Sequence, residues 1–115
     1  MKFLVLMAEE DHFDRWEAAT HEEQQAFFDG LAAFTAAVRE RGAVLAGEAL
    51  SRPEQAVTVR GESVTAGPYA ETVEQLTGFY IVQSDDFDDL VDVCKILGRG
   101  EGAIEIRAAA GGSSS

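Results

Sequence analysis

A chain of 115 residues with 46% apolar and 26% charged residues is sized for one globular core, which argues against two domains or wholesale disorder. Its formal net charge of −12 repels nucleic-acid phosphates and anionic membranes, so neither is an expected partner. No apolar run nears the roughly 20 residues that cross a bilayer, and the single Cys94 allows no internal disulfide and no cysteine-based zinc site.

The first apolar stretch, KFLVLM (2–7), lacks polar alternation and predicts a strand covered on both faces or placed at a dimer interface. It is too short for a secretory signal, and with the cysteine content it points to a cytoplasmic protein. AEEDHFDRWEAA (8–19) is polar with scattered aromatic residues and reads as a loop. Thr20 and Glu23 then have the spacing of a capping box, in which each side chain satisfies a backbone amide near the other. Phe27, Leu31, Phe34 and Val38 follow as one apolar stripe, and Gly42 is the natural stop of this first helix.

AVLAGEAL (43–50) reads as a strand with Gly47 as a bulge or a point of close approach. AVTVR and ESVTA flank Gly61, and a Gly-Glu loop fits a type II′ hairpin. Gly67-Pro68 makes a turn, because glycine reaches positive φ and proline presets its own. GFYIVQ (78–83) is a further strand. Ser84 or Asp85 is positioned to cap a second helix with the stripe Phe87, Leu90, Val91, Cys94 and Leu97, ended by Gly98. AIEIR (103–107) closes the domain, and AAAGGSSS (108–115) is a flexible tail.

The order β-α-β, hairpin, β-α-β predicts an α+β ferredoxin-like sandwich, with both helices on one face of an antiparallel sheet. The other sheet face needs cover, and a second copy of the chain supplies it, so a homodimer is expected through the sheet faces.

KFLVLM, GEAL (47–50), VTVR (57–60), AGPYAETVEQLTGFYIV (66–82) and AIEIR stand in the order of the YCII-related family, and the chain resembles its DGPF branch. The resemblance spans roughly residues 2–107, and it implies sheets paired into a dimeric α+β barrel with a pocket between sheet and helices. Three departures stand out. Ala66 occupies the place of the motif's Asp, Tyr69 replaces Phe, and Gly98, Gly100 and Gly102 replace a Pro-rich approach to the last strand. The family's enzymes imply a His/Asp pair. The two histidines here are His12, placed in the loop after the first strand, and His21, in the first helical turn.

Glu48 is the acid singled out for chemistry, because a strand glutamate beside a glycine can enter a cleft. His12 is its candidate partner as general acid or base. Tyr69 and Tyr80 offer hydroxyls to a ligand, and Glu71 a carboxylate beyond the turn. His12 with Asp11 and Asp14 matches no metal-site spacing, so no metal is expected, and no cofactor motif is present. GRGEG (98–102) follows a helix, where a phosphate-binding loop would precede one. Cys94 on a core stripe is a small hydrophobe before it is a nucleophile. The resulting expectation is a homodimer with a pocket for a small organic ligand. Two alternatives stand beside it: a lyase- or isomerase-like enzyme moving a proton, and a non-catalytic dimerisation or regulatory module.

Overall fold

The computed structural model describes residues 1–98 and 102–111. The centre of the 98–102 glycine stretch and the last four residues of the expected tail therefore lie outside the described residues. Four strands form the main sheet: β1 (Lys2–Glu10), β2 (Ala43–Ala49), β5 (Glu74–Gln83) and β6 (Ala103–Ala108), in the order β2-β5-β1-β6. Every neighbouring pair is antiparallel, which is the ferredoxin-like α+β arrangement. The hairpin of β3 (Val57–Arg60) and β4 (Ser63–Ala66) stands apart as its own two-stranded sheet. Its loop is the anticipated Gly61-Glu62, with Gly61 at φ +59° and Arg60 facing Ser63.

Three α-helices are present among the described residues. The long helix α2 (His21–Arg39) begins at Thr20 with the full capping box: Thr20 accepts from the Glu23 amide while Glu23 accepts from the Thr20 amide. The helix α3 (Phe87–Cys94) is capped by Asp86, not by Ser84 or Asp85. Ser84 is buried at the end of β5, and its hydroxyl serves the Asp86 backbone, which leaves Asp86 to accept from the Asp89 amide.

The helix α1 (His12–Ala18) is a correction, since 8–19 reads locally as a loop. Two things override the local pattern. Strand β1 runs on to Glu10 because Ala8, Glu9 and Glu10 find partners in Leu76, Gln75 and Glu74. The helix that follows is then held by long-range contacts, Trp16 against Phe27 and Phe28 and Arg52 on Asp14 and Glu17, and it has no side-chain cap of its own.

The core lies between the sheet and helices α2 and α3. Phe3, Val5 and Val82 meet Phe34, Val38, Leu90, Val93 and Cys94, all buried. Gly47 belongs here as a close approach, because a Cβ on it would stand 2.5 Å from the Tyr80 ring. The irregularity in β2 falls instead between Val44 and Ala46. In β5 the register skips Thr77, so that Met7 faces Gly78 while Ala8 faces Leu76. This bulge exchanges the two faces of β5 beyond it. Gln75 thereby comes to the helix side beside Glu9, and Leu76 to the opposite side with Leu6.

The opposite face carries Leu4 against Ile81 and Leu6 against Phe79, all only partly covered, with Leu76 exposed beside them. No helix among the described residues is long and apolar enough to cross a membrane.

Burial pushes the Cys94 thiol up to about 11 from an ordinary value of 9.0. The folded chain therefore holds this proton more tightly than the unfolded chain. The stability linked to it is complete below pH 9 and is lost as pH rises through 11, by about 3 kcal/mol across the window. Urea unfolding of wild type and Cys94→Ala at pH 8 and pH 11 checks this: the alkaline loss should be smaller in the variant by about that amount, and equal losses would refute it.

Candidate functional site

At the end of β1 the chain turns sharply. Asp11 takes φ +55°, ψ +26°, the left-handed region that Asp tolerates better than most residues, and this corner launches α1 with His12 as its first residue. Strand alternation puts Glu9 on the helix side of the sheet, within reach of the first turn of α1. Its Oε2 stands 2.7 Å from His12 Nδ1, and both side chains are largely covered, 24% and 16% exposed. With Glu9 occupying Nδ1, His12 Nε2 is the ring nitrogen left to meet another molecule. The imidazole is held by rings on three sides: Phe13 edge-on at 5.1 Å, Trp16 stacked at 6.3 Å and Phe27 tilted at 5.9 Å.

A cleft of about 500 Å³ opens beside this pair. Its floor is Glu9, His12 and Gln75, one side is Asp11, Phe13 and Asp14, and the far wall is Arg52-Pro53-Glu54 with Ala66-Gly67-Pro68. The far wall is fixed by backbone chemistry. Gly67 adopts φ +104°, its amide donates to the Ala56 carbonyl at 2.7 Å, and its carbonyl accepts from the Thr58 hydroxyl at 2.9 Å. Arg52 ties this wall to α1, with Nη1 donating to Asp14 at 3.0 Å, Nη2 donating to Glu17, and the guanidinium 5.7 Å from the centre of the Phe13 ring. The two carboxylates raise the pKa of the guanidinium still further and keep both its terminal nitrogens occupied.

A second cavity, of about 710 Å³, lies on the other side of the same wall, along the bare face of the sheet. Arg52, Pro53, Pro68 and Gln75 line both cavities, while Leu6, Leu50, Tyr69, Leu76, Glu105 and Arg107 belong to the second.

The residues singled out from sequence are distributed over separate places. His12 lines the first cleft. Tyr69 lines the second cavity, largely exposed, with the Arg60 guanidinium 5.0 Å from its ring centre. Glu48 is exposed on β2 opposite Phe79 and touches only a small groove of about 120 Å³, which it shares with Tyr80. Tyr80 packs its ring 4.9 Å from Phe34, and burial raises its pKa. Glu71 is exposed and lines neither cavity. Thus His12 and Glu48 are not brought together, and the partner of His12 is Glu9, which sequence reasoning passed over. A signal existed: Glu9 and His12 stand three positions apart across a strand end, and Phe13 and Trp16 share the same i, i+3 spacing. Among the described residues no three His, Cys, Asp or Glu side chains are grouped to hold a metal ion.

The sequence matches the model of the YCII-related domain over residues 1–108, and the chain belongs to the YCII-related family. No curated protein matches it.

The left-handed corner yields a prediction. Asp11→Asn retains a side chain suited to that backbone and leaves stability within about 0.5 kcal/mol, whereas Asp11→Val destabilises by about 1–2 kcal/mol. Chemical denaturation of the two variants distinguishes this from a corner without strain, in which they would fall together.

Proposed function

We propose that this YCII-related protein binds a small organic molecule in the cleft beside His12, and that it does so as a homodimer joined through the bare faces of its sheets. The observation that carries the first part is the Glu9–His12 hydrogen bond of 2.7 Å on the floor of an open cleft. A histidine fixed through Nδ1 and supported by aromatic rings is costly to build as a surface ornament and useful where a ligand must meet Nε2. Ala66, at the motif position where the family pattern has Asp, lines the same cleft, so Glu9 supplies from β1 a carboxylate that the turn lacks. The second part is supported by Leu4, Leu6, Phe79 and Ile81, which share one sheet face and are only partly covered among the described residues.

A second reading is favoured by the same pair. A histidine oriented by a carboxylate is the ordinary apparatus of general acid-base catalysis, so the cleft is equipped to move a proton on its ligand, as in an isomerisation or an elimination next to a carbonyl. Glu9 would then be the positioning residue, holding the tautomer that leaves Nε2 free to take the proton. Glu48, in its shallow groove, has no comparable neighbour, and Tyr69 would serve the cavity on the other side of the wall.

Sedimentation velocity at micromolar concentration should show a species of twice the 12.4 kDa chain mass, and Phe79→Glu should convert it to monomer by burying a charge in the joint. A monomer at every concentration overturns the dimer. A thermal-shift screen of small organic metabolites should find a ligand that raises the wild-type melting temperature and fails to raise that of His12→Ala, since only binding to the folded state shifts the midpoint. A ligand equally effective on both proteins places binding elsewhere.

A further inference from the structure

The charge of the cleft wall narrows the class of molecule it can hold, an inference that rests on the reading of this cleft as the ligand site. Four carboxylates line it, Glu9, Asp11, Asp14 and Glu54, against one guanidinium, Arg52, and one imidazole, His12. The lining is net negative whichever protonation state His12 takes. The guanidinium is the one fixed positive charge, and it is already paired with two carboxylates, donating from Nη1 to Asp14 and from Nη2 to Glu17. Glu9 is likewise engaged, at 2.7 Å to His12 and 3.9 Å to Arg15. Asp11 and Glu54, by contrast, have no ion pair among the described residues, and both line the cleft.

A cavity of about 500 Å³ is roughly 10 Å across, comparable to the screening length at physiological salt, so all four carboxylates act on whatever enters. The chain's formal charge of −12 adds a field of the same sign. A carboxylate ligand would meet unpaired acids and an occupied arginine. An ammonium would meet these two unpaired carboxylates, with the apolar surfaces of Phe13 and Pro68 in the same lining for its body.

We propose that the natural ligand of this cleft carries a positive charge, most simply a protonated amine on a small apolar body, held by Asp11 and Glu54 with its body toward Phe13 and Pro68. Selection follows from the pairing pattern as much as from the count of acids, since the lone guanidinium is neutralised within the wall.

Three probes of matched shape test this: benzylamine, benzyl alcohol and benzoate, titrated into the full chain at low salt while amide NMR shifts of His12, Gly67 and Gln75 are followed. Benzylamine should shift these amides with an apparent affinity about tenfold or more above that of benzoate, and the preference should shrink as salt is raised. Asp11→Asn with Glu54→Gln should lower benzylamine affinity several-fold while leaving benzyl alcohol unchanged. Benzoate binding in the cleft as tightly as benzylamine overturns the proposal. Benzyl alcohol matching benzylamine overturns charge selection while the cleft remains a ligand site. If no probe shifts these amides, the ligand-site reading falls and the charge proposal with it.

Discussion

The structure depends on a sheet that has cover for only one of its faces. Strand geometry turns alternate side chains to opposite sides, so a β1 built of consecutive apolar residues sends Phe3 and Val5 to α2 and α3 and sends Leu4 and Leu6 the other way. Two helices packed on one side complete a core around Phe34 and Val82. The same alternation fixes where chemistry can be placed: continuing along β1, Glu9 emerges on the helix side, at the point where the core ends and α1 begins. The bulge at Thr77 brings Gln75 to that side as well and turns Leu76 out to join the bare face. One frame of strand alternation, interrupted once, therefore lays out both the cleft and the partly covered apolar face on the other side of the sheet.

What was legible in the sequence was what local chemistry decides. The capping box at Thr20 and Glu23, the Gly61 hairpin, the positive φ of Gly67 and the core stripe ending in Phe34 and Val38 each need only a few adjacent residues, and each stands as read. The ferredoxin-like class and its antiparallel sheet followed from the succession of elements and the rules for connecting them. Phe27, on the same stripe, departs from the core role, because it lies beyond the sheet's cover and packs instead with Trp16 and His12.

What was not legible was whatever depends on partners distant in sequence. Seven residues of α1 carry no side-chain cap and would not persist alone. They are helical because Arg52, 38 residues from Asp14, and the rings of α2 hold them there. The cleft has the same origin: His12, Arg52 and Gly67 come from three separate stretches, and no spacing rule connects them. Glu48 drew notice for its glycine neighbour, yet that glycine is explained by the Tyr80 ring pressing against it, a packing demand that has nothing to do with the acid beside it.

The chain contains two prolines, Pro53 and Pro68, and both stand in the wall that separates the two cavities. A proline has its φ set by a covalent ring before folding starts, and it leaves no backbone amide in need of a partner. A partition built on two such residues keeps its shape without help from whatever occupies either side. Filling the cleft consequently demands little ordering of this wall, and a molecule that fits need not spend binding energy on shaping it.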